Sequence, residues 1–227
     1  MTTTASDATT FELGLSLAGG VSCGAFSAGA IDFIVEALDA WEAAREQGDP
    51  DAPAHRVSLR IVGGASSGAL TSAVLAAALP YEIRHVRRGS PREVEEANPL
   101  FRAWVDGTSL HDLLGTQDAR DGGVRSLLDP TRVDTVAREA IGFGTRAPGR
   151  QRGWLADPLR LAFSVTNLRG VSFSLGNGRG SVRRLLSTMH GDMMRFAFRG
   201  KGGTPAPAPR PNESVVHVQR HAPDGWE

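Results

Sequence analysis

A serine flanked by glycines is the strongest chemical signal in this sequence. Residues 64–68 read G-A-S-S-G, which fits the pattern G-x-S-x-G. That pattern is typical of a serine on a sharp strand-to-helix turn, whose strained backbone projects the hydroxyl above a sheet. Gly64 and Gly68 would let strand and helix pack closely. We therefore predict Ser66 as a catalytic nucleophile; the alternative is a glycine turn that only packs a strand on a helix.

A second glycine-rich turn, G-G-V-S-C-G, occupies residues 19–24. Successive backbone N–H groups in such a turn can point at one spot and bind an oxyanion. Gly19, Gly20, Val21 and Gly24 are therefore the predicted oxyanion-hole residues. A dinucleotide loop is disfavoured because Val21 occupies the middle glycine position of G-x-G-x-x-G, and no G-K-[ST] follows for a Walker loop. A tight turn without a ligand stays open.

Two strand–turn–helix units would position these loops. Apolar residues between 25 and 47 recur at i, i+3, i+4 and i+7, which predicts a helix after the first loop. The small-residue run after the second loop predicts another. Strand, glycine turn and helix, twice over, indicate βαβ units and a parallel sheet, so the fold class is α/β. The predicted strands and helices are Leu13–Leu17, a helix from about residue 25 to Gly48, Val57–Val62, and Ala69–Leu79, which Pro80 ends.

Later segments are less regular. Residues 81–128 look helical and irregular, and Asp129-Pro130 predicts the start of another helix. Leu161–Val165 is a predicted strand, and apolar residues at 171, 173 and 175 alternate with serines before the predicted hairpin turn G-N-G-R-G. A last strand is predicted at 215–218. Residues 1–10 read as a disordered tail, and residues 11–227 as one domain.

Composition excludes several classes. The formal net charge of the 227 residues is zero, which argues against nucleic-acid binding. Cys23 is the single cysteine, so neither an internal disulfide nor a cysteine zinc site can form, and we predict no metal and no cofactor. The first ten residues do not read as a signal peptide, and we expect a cytoplasmic protein, with peripheral contact to a membrane left open. The uncharged run Ile61–Leu79 is rich in small residues and is read as strand, turn and buried helix.

The two glycine loops, in this order, resemble those of the patatin-like phospholipases, in particular bacterial members. LGLSLAGGVSCGAFSAG takes the place of the oxyanion loop, and IVGGASSGAL that of the nucleophile elbow. NPLFRAWVDGTSLHDLL, SLLDPTRVDTVA and FSVTNLRGVSFSL are also similar, so the resemblance spans about residues 12 to 200. Val21 and Cys23 depart from the family's G-G-G-x-R-G. The resemblance implies a parallel-sheet, three-layer α/β/α fold, here incomplete at the C-terminus.

The resemblance also implies a Ser-Asp dyad without histidine. The family's aspartate lies in a D-G-[GA] motif after the strand that here reads FSVTN. Three Asp-Gly pairs occur, beginning at Asp106, Asp121 and Asp224. Only Asp121 spells D-G-G, and it precedes that strand, so we expect the family's aspartate to lie beyond residue 227, with Asp121 as the next candidate.

The function expected from these signals is hydrolysis of lipid acyl esters, with a lipid or acyl ester as the partner. One alternative is a non-catalytic fragment that lacks the aspartate. Another is an acyl-transfer enzyme with His190, His217 or His221 as the base. His190 and Asp192 could pair as metal ligands, but no third residue of a metal-binding type stands at a suitable spacing.

Overall fold

Parallel strands separated by helices form the first part of the fold. The computed structural model describes residues 9–20, 24–109, 111, 114–115, 131–145, 147–176, 184–199, 204–205, 208 and 211–217. Six strands form one sheet within these ranges. The strands are β1 (Thr10–Leu17), β2 (Arg56–Ala65), β3 (Leu155–Gly176), β4 (Arg184–Arg199), β5 (Thr204–Pro205) and β6 (Ser214–His217).

The described helices all lie between β1 and β3 in the sequence. The longest follows β1, and a shorter one begins directly after β2. A short helix after residue 98 continues as one turn of π-helix, a form often found at functional sites. The helices are α1 (Gly24–Glu46), α2 (Ser67–Ala78), α3 (Arg92–Ala97), α4 (Pro99–Phe101) with the π-helical turn Arg102–Asp106, and α5 (Thr131–Ile141) with the 3-10 turn Gly142–Thr145. No described helix is long and apolar enough to cross a membrane.

The sheet is mostly parallel, which confirms the α/β class. Its strand order is β1-β2-β3-β4-β6, with β5 paired to β3. β1, β2 and β3 run parallel to one another, β3 and β4 are antiparallel, and β4 and β6 are parallel. At the carboxyl end of β2, Gly64 pairs with Leu17 on one side and Phe163 on the other. The loops that follow β1 and β2 therefore meet at one edge of the sheet.

One apolar core joins the sheet to the helices. Leu59 and Val62 of β2, Leu161 of β3, and Ile31 and Leu75 of the two main helices all belong to it. Ile61, on the opposite face of β2, is 39% exposed. Connections between parallel strands are nearly always right-handed, so the steps β1 to β2 and β2 to β3 carry α1 and α2 to the same face. The described helices thus supply one helical layer, and the third layer implied by the resemblance stays a prediction.

The sequence located the early elements closely. The Leu13–Leu17 strand begins at Thr10, one of the residues assigned to the tail, and the Val57–Val62 strand extends to Ala65. The predicted turn at residues 63–68 therefore shrinks to Ser66. The predicted Ala69–Leu79 helix begins at Ser67. The helix predicted to start at Asp129-Pro130 is described from Thr131 onwards, because Asp129 and Pro130 themselves lie outside the described residues.

The later strands were predicted in part. The strand predicted at 215–218 corresponds to β6 (Ser214–His217), whereas β3 and β4 differ from the prediction. Leu161–Val165 and the alternating stretch 171–175 belong to one strand, β3, of 22 residues. β4 was not predicted, because its sequence places a histidine, a glycine and an aspartate in the middle of a strand. The β3–β4 pairing extends to Gly176 and Arg184; the rest of the predicted hairpin turn lies outside the described residues.

Among the residues that the structure describes, the part of β3 beyond Thr166 pairs only with β4, and the two strands form a ribbon. Because β3 runs parallel to β2, and Ala65 ends β2 opposite Ser164, this ribbon extends from the same sheet edge as Ser66. Several of its apolar side chains are exposed: Leu168, Val171, Phe173, Leu186 and Met189. Leu168 is 88% exposed and Leu186 is 78% exposed. Val171, Phe173 and Met189 share one face of the ribbon, whereas Leu186, which pairs with Ser174, lies on the other face. Exposed apolar surface of this kind typically marks an interaction surface.

Candidate active site

Ser66 occupies a strained position between β2 and α2. Ala65 ends the strand and Ser67 begins the helix, so the chain reverses at this one residue. Its φ is 51° and its ψ is −124°, and it is the one non-glycine residue of the described ranges with positive φ. Such a conformation costs about 1–3 kcal/mol and persists only where the surroundings impose it. The Ser66 side chain is exposed, so the geometry is that expected of a nucleophile elbow.

Gly64 and Gly68 allow the end of β1 to approach this turn. A Cβ built on either glycine would collide with the carbonyl oxygen of Leu17. A Cβ on Gly63, to which no role was assigned from the sequence, would collide with the carbonyl oxygen of Ala162 on β3. The glycines therefore let three adjacent backbones close around Ser66, and the two elbow glycines occupy the positions expected from the motif.

The first glycine loop begins directly beside Ser66. A Cβ on Gly19 would lie 3.1 Å from the carbonyl oxygen of Ala65 and 3.1 Å from Ser66 Cβ. The N–H of Gly20 donates a hydrogen bond of 2.9 Å to Ser67 Oγ. Val21 lies outside the described residues. The structure thus brings the start of the loop to the elbow, while the N–H of Gly20 is engaged by Ser67.

Gly24 ends the loop and begins α1. A Cβ there would collide with the indole ring of Trp104, which lies on the π-helical turn. Trp104 is partly buried against the core, and its Nε1 is buried without a hydrogen-bond partner among the described residues. The tryptophan therefore fixes the point at which the loop joins α1. Trp41 packs on the core and Trp154 is buried in it.

The amino end of α2 gives the site a positive electrostatic character. The first N–H groups of a helix have no carbonyl partner within that helix. In α2 the N–H of Leu70 donates to the carbonyl oxygen of Ser66 at 3.1 Å, so the N–H groups of the residues before Leu70 lie at the open end of the helix. Ser66 itself makes no side-chain capping bond. The helix dipole adds about half a positive charge at this end, which favours negative charge developing near Ser66.

No candidate base contacts the Ser66 hydroxyl through a hydrogen bond among the described residues. Asp121, Asp224 and His221 lie outside the described ranges. Asp106 forms an ion pair with Arg92, with 2.9 Å between Oδ2 and the guanidinium nitrogen. Among the described acidic and histidine side chains, none forms a hydrogen bond with Ser66.

The histidine and metal alternatives gain no support from the described contacts. His190 lies on β4, exposed, with Nδ1 2.9 Å from the carbonyl oxygen of Asn167. Asp192 Oδ1 accepts a hydrogen bond from the N–H of the next residue, Met193. His217 lies on β6, where its backbone pairs with Arg199. In the part of the chain that the structure describes, no three potential metal ligands cluster.

Two buried acids on α1 were missed from the sequence. Asp32 accepts hydrogen bonds from His85 Nδ1 at 2.8 Å, from the N–H of Val86 at 2.9 Å and from Asn98 Nδ2 at 2.9 Å. Helical rise places Asp32 about 12 Å along the axis from Gly24, so this network stabilises the helix packing away from the loop. The sequence signal for this network is Asp32 itself, a charged residue directly after Ile31 on the buried side of the predicted helix.

Asp39 anchors the far end of α1. Its carboxylate accepts hydrogen bonds from Nε of Arg152, at 2.9 Å to Oδ1 and 3.1 Å to Oδ2, and from the indole N–H of Trp154 at 2.9 Å. Burial lowers the pKa of Arg152, and the charge of Asp39 opposes that effect. Arg152 also donates to the carbonyl oxygens of Leu79 and Tyr81, which joins α1 to the end of α2. Asp32 and Asp39 stand seven residues apart, two helical turns, and so share one face of α1.

Comparisons with known proteins give similarity without a function. No family model matches the chain, and no solved structure matches it. The chain is 35% identical over 215 residues to a protein of Sinorhizobium fredii (strain NBRC 101917 / NGR234) described as "Uncharacterized protein y4iI". The match covers 89% of this chain and 30% of that relative. The chain therefore spans less than a third of the length of the relative it matches.

Proposed function

We propose that this chain carries the nucleophile of a serine lipid acyl hydrolase with a patatin-like fold. The observation that carries the proposal is the backbone of Ser66, held at positive φ between a parallel strand and the start of a helix. If this position had no chemical role, glycine could occupy it without the steric cost that a serine side chain carries at positive φ. Strain retained at an exposed serine, beside a glycine loop, favours a chemical role.

In the proposed reaction Ser66 Oγ attacks the carbonyl carbon of an ester. The hydroxyl proton passes to the base, and the carbonyl oxygen becomes an oxyanion. N–H groups at the start of α2 and in the glycine loop stabilise that charge in the transition state. The intermediate collapses as the bond to the alcohol breaks, and the alcohol leaves with the proton from the base.

Water completes the cycle. It attacks the acyl-Ser66 carbonyl carbon and gives its proton to the base. The second tetrahedral intermediate releases the carboxylic acid and returns the proton to Ser66 Oγ. Each step balances without a metal or a cofactor.

We propose an aspartate as the base, in line with the resemblance. The resemblance implies that this aspartate follows the strand that reads FSVTN in a D-G-[GA] motif. No such motif follows that strand in these 227 residues, and Asp121 is the candidate inside the chain. A serine without a base stays a neutral alcohol and a weak nucleophile. The 227-residue chain alone should therefore have little or no activity, and a non-catalytic chain is the competing outcome.

The β3–β4 ribbon supports a lipid as the substrate class. Val171, Phe173 and Met189 are exposed on one face of the ribbon, which extends from the end of the sheet that carries Ser66. Side chains of this type can enter the boundary of a lipid surface and hold the ester near the nucleophile. The proposal therefore includes peripheral contact with a membrane.

Ester hydrolysis tests the proposal. The natural protein that contains these residues, here called the full-length protein, the 227-residue chain alone and their Ser66→Ala variants are assayed with a chromogenic short-chain ester and with phospholipid vesicles. We expect activity in the full-length protein alone, lost in Ser66→Ala. If the 227-residue chain turns over at the full-length rate, the base lies inside it and Asp121→Asn is the next variant. A full-length protein that hydrolyses neither ester contradicts the proposal.

A further inference from the structure

A hydroxyl one residue after Ser66 holds the start of the glycine loop. The N–H of Gly20 donates to Ser67 Oγ across 47 residues of chain, with 2.9 Å between nitrogen and oxygen. Ser67 is 7% exposed, so water does not readily replace this bond. Ser67 thus ties the loop after β1 to the turn that carries the candidate nucleophile.

This bond gives Gly20 a different task from its neighbours. A backbone N–H is a single donor, so one that Ser67 holds is not free to bind a substrate oxyanion. Gly19 meanwhile packs against Ser66 Cβ. With Gly19 packed and Gly20 bonded, both the position and the direction of the chain are fixed where the loop begins.

We propose that Ser67 is a positioning residue, which orients the oxyanion loop through Gly20. The inference rests on the proposed function and assigns a role to the second serine of the motif, which the reaction itself does not use. Without the hydroxyl, the N–H of Gly20 loses its partner in a partly buried place. Gly19 and Gly20 can then shift relative to Ser66, and the hydrogen-bond donors around Ser66 no longer match the transition state.

A structural role alone gives a different result. If Ser67 only stabilised the fold, its loss would lower stability and leave the turnover of the folded protein unchanged. Ser72 offers a matched control: it is a buried serine on the same helix, and its hydroxyl donates to Gly68 O at 2.8 Å, within the helix.

The experiment compares Ser67→Ala, Ser67→Thr, Ser67→Cys and Ser72→Ala in the full-length protein. It measures kcat and KM for a short-chain ester, and the rate at which a fluorophosphonate labels Ser66. We expect Ser67→Ala to lower kcat and the labelling rate about 10- to 100-fold, the effect of a small misplacement of reacting groups. KM should change little, because the lost interaction acts in the transition state. Ser67→Thr keeps a hydroxyl and should recover most of the rate, and Ser72→Ala should behave as wild type.

The outcomes separate this inference from the proposed function. If wild-type Ser66 is not labelled, both fail. If Ser66 is labelled equally fast in wild type and in Ser67→Ala, the positioning role alone is overturned. Should Ser67→Ala fail to fold, Ser67→Cys decides, since sulfur is a weak acceptor: slower labelling supports the role, and the wild-type rate overturns it.

Discussion

Gly19 packs against the β-carbon of Ser66: a Cβ built on this glycine would stand only 3.1 Å from Ser66 Cβ. Real side chains rarely come so close, so the glycine loop and the elbow fit together as one unit. The contact joins the two motifs that the sequence offers as chemical signals. It is the structural reason to treat them as parts of one site.

Gly68→Ala should destabilise the protein, because its Cβ would collide with the backbone of Leu17. Overpacking of this kind typically costs about 1–3 kcal/mol. Gly29→Ala is the matched control, since Gly29 also lies in a helix and a Cβ there meets nothing within 4 Å. That change should stabilise by roughly 0.5–1 kcal/mol, the usual gain of alanine over glycine in a helix. Urea unfolding measures both; a Gly68→Ala variant as stable as wild type would contradict the packing.

Ser66→Gly should be more stable than Ser66→Ala. Glycine adopts positive φ without the steric cost that alanine keeps, so we expect a difference of about 1 kcal/mol. In a chain of this size that corresponds to roughly 2–4 °C in Tm. Both variants lose the hydroxyl, so thermal unfolding isolates the backbone term. Equal Tm values would show that the turn is unstrained.

Glu42→Gln should stabilise the protein at neutral pH and change it less in acid. Burial raises the pKa of Glu42, and the charges of Glu46 and Asp39 raise that pKa further, while N–H groups of Gly153 and Trp154 lower it. Because the folded pKa exceeds the unfolded one, the stability linked to the protonated form is present below the ordinary glutamate pKa. It is lost as the pH rises through the raised value.

Glutamine keeps a carbonyl for the same N–H groups and carries no charge. The advantage of Glu42→Gln should therefore grow as the pH rises above the ordinary pKa of glutamate, and it should remain modest because Glu42 is only partly buried. Urea unfolding at several pH values checks this. An advantage that is constant with pH would show that desolvation of the carboxylate is not its cause.

The sequence predicted the local structure around Ser66, where short-range patterns decide the backbone geometry. The motif around Ser66 and the helix periodicity after Gly24 are short-range signals, and β1, α1, β2 and α2 lie close to their predicted bounds. β4 was missed because its pairing with β3 is long-range and its sequence, with His190 and Asp192, lacks a strand pattern.

The buried acids Asp32 and Asp39 show a second limit of the sequence. Their partners lie 53 to 115 residues away in the chain, so the pairing that makes burial of a carboxylate tolerable is invisible in a local pattern. The bond between Gly20 and Ser67 is likewise long-range. The two glycine loops could be found from the sequence, but not the contact that joins them.

The most direct test of the account is covalent labelling of Ser66. The full-length protein is treated with a fluorophosphonate, digested, and analysed by mass spectrometry, with Ser66→Ala and Ser72→Ala alongside. The account predicts one labelled peptide, carrying the adduct on Ser66, which is absent from Ser66→Ala and unchanged in Ser72→Ala. An adduct that persists in Ser66→Ala, or an active hydrolase that leaves Ser66 unlabelled, would contradict it.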